Sequence, residues 1–278
     1  MKSKILENLR KTEGPFSGQA LSEQLGISRV SIWKHIQQLQ TFGYDIVSSA
    51  KGYRLRNSPD VPYPWEFPGR ESKIIYHEQL SSTMEAAKQL ARKGCADFTT
   101  VIAGRQTSGR GRLNRQWFSD EGGLYFTMVL RPDLPPVLSF RVGFLASLTL
   151  ARLLNQVFKI EVKVKWPNDL LVNECKICGM LSELEAEADR VAFINTGIGL
   201  NVNNDPSPIE PTATSLKMIL GHTVSKKEIL SRYLDLFETQ MQSAAYDDVI
   251  EQWKQHTVTL NRHVRVETTR EVIRGKEI

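Results

Sequence analysis

Residues 104–117 read GRQTSGRGRLNRQW, four arginines and three glycines in a stretch that ends on a tryptophan. Guanidinium groups offer forked donors to carboxylate and phosphate oxygens, so the stretch reads as a loop that closes on an anion. A disordered nucleic-acid tail and an ordered phosphate-gripping loop share this composition, and the flanks decide between them. TTVIAGRQ (99–106) and GGLYFTMVLRP (122–132) both read as strands. Arginine-glycine tails repeat within disordered sequence, whereas this stretch does not repeat and lies between core strands. A Walker A loop opens a helix and ends in Gly-Lys-Ser/Thr, and dinucleotide GxGxxG geometry is absent too. An ordered loop inside a sheet remains. Arg110, Arg112 and Arg115 would meet anionic oxygens, and Trp117 offers a flat face to a ring.

Upstream, IIYHEQL (74–80) is strand-like and SSTMEAAKQLARKG (81–94) reads as a helix. Ser82 with Glu85 spells a capping box, and Gly94 suits the stop. Ser82 and Thr83 taken alone read as a plain cap, with a helix start whose free amides meet a polar ligand group as the alternative. Downstream come the apolar helix FRVGFLASLTLARLLNQVF (140–158), VKVKWPNDLLV (162–172), a turn around Lys176, GMLSELEAE (179–187) and RVAFINTGIGLNVN (190–203). Strands and helices interleave unevenly. The reading is an α+β domain with a mixed sheet and helices on one side. In KWPNDL (165–170) the alternation sets Val162 and Val164 against Lys163 and Lys165, and a Pro-Asn-Asp turn halts the strand. That cluster reads as a charged strand face, or as a phosphate site in which Lys176 bridges a carboxylate and an α-phosphate while Asp169 helps hold a metal.

Cys95, Cys175 and Cys178 are too few and too odd a set for a disulfide framework. The CxxC they contain lacks two further zinc ligands, and strand geometry sends its side chains to opposite faces. The chain has 278 residues, a formal charge of +5 and a pI near 9.0, which suggests an anionic partner. MKSKILENLRKTEG does not resemble a signal peptide, and no apolar run approaches the roughly 20 residues of a membrane span. A cytoplasmic protein without membrane partners is the expectation.

At the N-terminus, SGQALSEQLGISRVSIWKHIQQLQTFG (17–43) carries two helical patterns joined at Gly26-Ile27. Ser28 caps the second, in which Ile32, Ile36 and Leu39 form an apolar stripe. Val30, Lys34 and Gln37 fall opposite that stripe, with Arg29 and Trp33 on its flanks. This is a helix-turn-helix pattern, whose second helix enters the major groove. YDIVSSAKGYRLR (44–56) adds a hairpin with Lys51-Gly52 in its turn, a basic wing. A small protein-interaction domain is the alternative reading. Ser28, Arg29, Trp33, Lys34, Gln37 and Lys51 are the candidate DNA contacts. NSPDVPYPWEFPGR (57–70) holds four prolines and a glycine and marks a boundary. The expected division is a winged helix over 1–58, a linker over 59–72, a catalytic domain over 73–260 and the start of a β-rich segment over 261–278.

GRGRLNRQW, KWPNDL and KICGMLSE (176–183), in this order, resemble a biotin–protein ligase, and the N-terminal module resembles the bifunctional type that also represses biotin synthesis genes. The resemblance spans roughly 1–260 and implies a class II synthetase-like mixed-sheet catalytic domain. It implies activation of biotin by ATP and Mg2+ to biotinyl-adenylate, then transfer to a lysine of the biotin carboxyl carrier protein of acetyl-CoA carboxylase. By motif position, Ser82, Thr83, Gln106, Arg110, Gly111, Arg112 and Lys176 would bind biotin. Arg112, Arg115, Trp117, Lys165, Asn168, Asp169 and Asn201 would serve ATP, with Asp169 at the metal. Lys176, Arg110 and Arg112 would be catalytic. The resemblance also implies operator DNA as a partner, biotinyl-adenylate as corepressor and a homodimer when liganded. A sensing repressor without catalysis and a lipoate–protein ligase are the alternatives. The sequence departs from the family twice: Met84 stands where Asn is common, and the C-terminus offers about two strands where a small β-rich domain is usual, so that domain is read as truncated.

Overall fold

The structure, a computed structural model, describes residues 1–243, 248–268 and 271–276 and divides into two compact units, Met1–Ser72 and Lys73–Ile278. The first unit holds α1 (Lys2–Lys11), α2 (Gly18–Leu25), α3 (Arg29–Thr41) and the hairpin β1 (Asp45–Ser49) and β2 (Gly52–Asn57). The Ser17 hydroxyl accepts from the Gln19 N–H and the Ser28 hydroxyl from the Ser31 N–H, so each helix of the pair starts on a serine cap. Between them Gly26 takes the left-handed conformation, φ 65°. Ile32, Ile36 and Leu39 are fully buried with Leu21 and with Ile5, Leu6 and Leu9 of α1. Helix α1 was not anticipated; its apolar residues are few, and its lysines mask their helical spacing. The wing turns at Ala50-Lys51, and Gly52 already belongs to β2.

Residues 59–72, expected as a linker, fold onto this unit instead. Trp65 Nε1 donates to the Tyr44 hydroxyl at 2.9 Å, that hydroxyl donates to Glu66, and Arg10 pairs with Glu66 at 2.8 Å. Burial, then the Glu66 carboxylate, pushes the Tyr44 phenol far above its ordinary range, so it stays a donor. Prolines restrict the backbone here without freeing it from the core.

The second unit runs β3 (Ile74–Leu80), α4 (Thr83–Arg92), β4 (Thr99–Gln106), β5 (Leu124–Leu130), α5 (Phe140–Phe158), β6 (Val162–Lys165), β7 (Asp169–Val172), β8 (Cys175–Glu187) and β9 (Arg190–Leu200). After them come α6 (Leu216–Leu220), α7 (Lys226–Gln242), α8 (Val249–Lys254) and the hairpin β10 (His263–Glu267) and β11 (Val272–Lys276). The first seven strands form one mixed sheet, ordered β3-β4-β5-β9-β8-β7-β6, in which only the β3–β4 pair is parallel. Lys176 lies on β8, just past a turn at Asn173-Glu174.

Residues opposite one another on neighbouring strands share a face. One row, Ile102, Phe126, Ile198 and Met180, is buried on the side of α7, where the Phe126 and Tyr233 rings meet at 5.7 Å. Helix α5 packs on that same side, with Gly143 against Ser182. Each fully buried ring or branched chain there contributes roughly 1.5–3 kcal/mol. The next rows face the other way: Val101, Thr127, Gly197 and Leu181, then Ala103, Tyr125, Gly199, Gly179 and Asp169. Helix α4 covers part of this second face through Ala87 and Ala91 on Val101, Val129 and Phe193. Helices therefore lie on both faces, not one. Helix α4 is the crossover between parallel β3 and β4, and the order of elements does not say which face a crossover takes. Helix α5 with its leading turn (136–158) is also long and apolar enough to cross a membrane, contrary to expectation. Its apolar stripe, including Val142, Leu145, Leu150 and Leu154, is buried against the rest of the unit.

Candidate functional site

The part of the second face that α4 leaves open is floored by glycine. A Cβ on Gly199 would stand 2.3 Å from Trp117 Nε1, and one on Gly179 would stand 2.7 Å from the same indole. The bare strands let Trp117 lie against the sheet, with Met84 over Gly197 beside it. Above this floor opens a cavity of about 1140 Å³. Thr83, Gln106, Arg110, Gly111, Arg112, Arg115, Trp117, Lys165, Asn168, Asp169, Lys176 and Asn201 all line it. Three separated motifs thus reach one space. The glycine floor was missed in the sequence, although the G-x-G of GIGLN on a strand is its signature, since period-two spacing puts both glycines on one face. The walls added by Val264, Val266 and Ile273 of the C-terminal hairpin carried no comparable signal.

One end of the cavity is neutral and polar. Gln106 Oε1 accepts from the Thr83 N–H at 2.8 Å and from its hydroxyl, and Gln106 Nε2 donates to Ser119 Oγ at 2.8 Å. Thr127 donates to the Thr83 hydroxyl at 2.9 Å. Ser82 begins α4, but its hydroxyl makes no capping bond; Oγ is buried with no partner among the described residues. Glu85 is drawn to Arg110, so the expected capping box is absent. A buried hydroxyl left unsatisfied costs roughly 1–3 kcal/mol, and Ser82, unlike Thr83, does not stand on the cavity wall.

The other end is charged. Lys176 Nζ lies 2.8 Å from Asp169 Oδ1 and 5.1 Å from the centre of the Trp117 ring. The Lys176 backbone is pinned independently of its side chain, donating to Thr212 O and accepting from Thr214 N at 2.8 Å each. Asn168 Nδ2 donates to Met180 O at 2.7 Å and Asn168 O accepts from Met180 N, which ties down the β6–β7 turn just ahead of Asp169. Asn201 is buried, with its amide bonded to Thr214 O and Asn204. Arg112 and Lys165 are exposed with no ion pair among the described residues, and Arg115 reaches Glu267 at 3.9 Å. Cys178 is buried with its thiol pushed far up by desolvation, and no group of three metal-ligating side chains exists among the described residues.

Residues 109–117 are tied down at several points. Ser108 N donates to Ser81 O, Trp117 N to Gly109 O at 2.9 Å and Gly111 N to Arg115 O at 2.8 Å. Gly109 is glycine for close approach, since its Cβ would meet Trp117 O at 2.2 Å. The Arg110 guanidinium is clasped between Glu85 of α4 and Glu183 of β8, the latter at 2.9 Å. For so exposed a pair about 1 kcal/mol is reasonable. Glu183→Gln should therefore quicken tryptic cleavage at Arg112 or Arg115 by roughly fivefold while the unfolding midpoint holds. An unchanged cleavage rate would remove Glu183 from the restraint and leave the loop to Glu85 and the backbone bonds.

In the first unit, Arg29, Val30, Trp33, Lys34 and Gln37 are all exposed along the outer side of α3. Lys51, Arg54 and Arg56 are exposed on the wing. Ser28 spends its hydroxyl on the helix cap.

Fold and site together define a protein ligase that activates a small carboxylic acid and carries a nucleic-acid-binding module. Residues 76–203 match the Biotin/lipoate A/B protein ligase family and residues 2–54 an HTH domain. The chain is 32% identical over 277 residues to the bifunctional ligase/repressor BirA of Bacillus subtilis, covering 94% of this chain and 85% of that one. It is 33% identical over 191 residues to the BirA of Escherichia coli, covering 67% and 59%. The biotin protein ligase of Aquifex aeolicus, solved with biotin and ATP, superposes with a TM-score of 0.62 at 29% identity, covering 73% and 85%. The chain belongs to the bifunctional ligase/repressor branch of the biotin/lipoate protein ligase family.

Proposed function

We propose that the cavity joins biotin to ATP, forming biotinyl-adenylate and pyrophosphate, and passes the biotinyl group to a lysine of the biotin carboxyl carrier protein. One observation carries this: a lysine, a carboxylate and an indole meet over a glycine floor in a cavity that also takes in Thr83 and Gln106. The biotin head group would take Thr83 and the remaining Gln106 N–H. Its carboxylate would then reach Lys176 and Arg112. Carboxylate and triphosphate repel one another, and cations placed between them lower that barrier. The carboxylate oxygen attacks the α-phosphorus, a new O–P bond forms, and the bond to pyrophosphate breaks. The carrier amine then attacks the acyl carbon, and AMP departs with the C–O electrons. Lys165 and Arg115 would hold the triphosphate, with Trp117 against the adenylate.

Arg110, engaged by two carboxylates, positions the loop and does not meet the ligand. Asn168 and Asn201 likewise act by holding backbone in place. Asp169 is the acidic side chain paired with Lys176, at 2.8 Å, and Glu174 and Glu210 also stand on the cavity wall. A single carboxylate completed by phosphate oxygens is a common way to hold Mg2+, and the site fits it. When bound there, Mg2+ would neutralise charge on the phosphates. The closed loop would keep water from the mixed anhydride.

We further infer that the winged helix binds operator DNA, with biotinyl-adenylate as corepressor and a homodimer as the binding form, in the cytoplasm. Incubation of the chain with labelled biotin and ATP should give biotinyl-adenylate, and adding the carrier domain should move label to it. Absence of both products would reject the ligase reading. Turnover of lipoate at equal kcat/KM would move the assignment to a lipoate ligase.

A further inference from the structure

We propose that Val30 and Trp33 read thymine C5-methyl groups in the major groove, and so set operator specificity. This deepens the operator-binding reading above and rests on it. The motive is a pair of apolar side chains left uncovered on an otherwise polar surface: Val30 is 62% exposed and Trp33 52%. In this unit Phe42 is also exposed, but it packs on Tyr63 and Trp65. Trp33 has no such ring partner among the described residues. Val30 and Trp33 lie three apart on a helix, so they adjoin one another. They sit in its first two turns, where a recognition helix meets base edges.

The helix core is formed by Ile32, Ile36 and Leu39, all fully buried. At 100° per residue Val30 lies almost opposite that stripe, with Lys34 and Gln37 on either side of it and Trp33 at the flank. Arg29 and Lys34 on the helix, and Lys51, Arg54 and Arg56 on the wing, are exposed cations. Such an arrangement complements phosphates on both sides of a groove. The occupant that matches cations around an apolar centre is duplex DNA, because the thymine methyl is the apolar feature of a major-groove base edge. Neither Val30 nor Trp33 contributes to the buried core, so replacing either leaves folding intact.

The test selects duplexes from a random pool with the full chain, biotin and ATP, then replaces each thymine of the selected site by deoxyuridine, which removes only the methyl group. Binding is expected to weaken about fourfold at one or more positions, the loss for one buried methyl. Val30→Ala and Trp33→Ala should each abolish the deoxyuridine penalty at its own position, and far-UV circular dichroism should be unchanged. Lys51→Ala should weaken all duplexes alike and lower the salt slope by about one. Deoxyuridine neutral at every position, with Lys51→Ala still weakening binding, overturns the methyl readout and leaves the operator reading standing. Val30→Ala and Trp33→Ala shifting the monomer–dimer equilibrium without touching DNA affinity also overturns it, in favour of a second copy on this face. Selection of no duplex overturns both.

Discussion

Replacing Lys176 with alanine is expected to slow biotinyl-adenylate formation on the order of 10²–10³-fold, the usual cost of removing one charged donor aimed at a transition state. The fold should survive the change. Strand β8 is held at this point by backbone bonds to Thr212 and Thr214, and the ammonium spends itself on Asp169 and the Trp117 ring. Its loss does more than remove a cation, because Asp169 would lose the ammonium that offsets its charge toward the incoming biotin carboxylate. At an effective dielectric of about 20 two unit charges 4 Å apart interact by about 4 kcal/mol, so the residual repulsion opposes binding. Asp169→Asn in the Lys176→Ala background should therefore recover part of the apparent biotin affinity while leaving turnover slow. Single-turnover pyrophosphate release, followed at saturating ATP, reads both effects. Adenylate formation within threefold of wild type would remove Lys176 from the chemistry.

Much of the catalytic unit was legible because its motifs are local. GRGRLNRQW sits between two apolar stretches that both read as strands, and KWPNDL announces its own turn. The spacing of VKVK correctly puts Val162 and Val164 inside and the lysines outward. What the sequence conceals is decided across strands. The row Gly199, Gly179 and Asp169 exists only once β9, β8 and β7 are in register. No local pattern links a glycine at 199 to an aspartate at 169. Arginine identity also misleads: Arg110 and Arg112 are equal as letters, yet only Arg110 finds two carboxylates, supplied by a helix and by a distant strand. Glu85 shows the same limit, since local spacing makes it a capping residue and tertiary competition makes it an anchor. The proline-rich 59–72 segment was misread for a related reason, as composition reports stiffness and says little about packing. In the first unit the helix-turn-helix was readable throughout, while α1 needed the core to reveal it.

Gly199→Ala is expected to raise the KM for biotin and ATP roughly 10- to 100-fold, corresponding to about 1.4–3 kcal/mol, the range for forcing an atom into an occupied space. The new methyl would stand 2.3 Å from Trp117 Nε1 and 2.5 Å from Cε2, distances no side chain tolerates. The Trp117 backbone cannot follow, because its N–H is bonded to Gly109 O and its carbonyl accepts from Ser119 Oγ at 3.2 Å. The indole must swing off the floor, leaving its place by Lys176. Gly143→Ala is the matched control on the opposite face, where the added methyl meets Ser182 Oγ at an ordinary 3.7 Å. There a helical glycine becomes alanine without a clash, so stability should rise by about 0.4–1 kcal/mol with kinetics unchanged. Combining Gly199→Ala with Trp117→Ala provides the decisive comparison, since the clash disappears with the indole. The double variant should then bind no worse than Trp117→Ala alone, a coupling that a general loss of packing in the sheet would not produce. Equal, additive losses from the two substitutions would mean that Gly199 serves the strand and not the indole, and the glycine floor would lose its role in shaping the site.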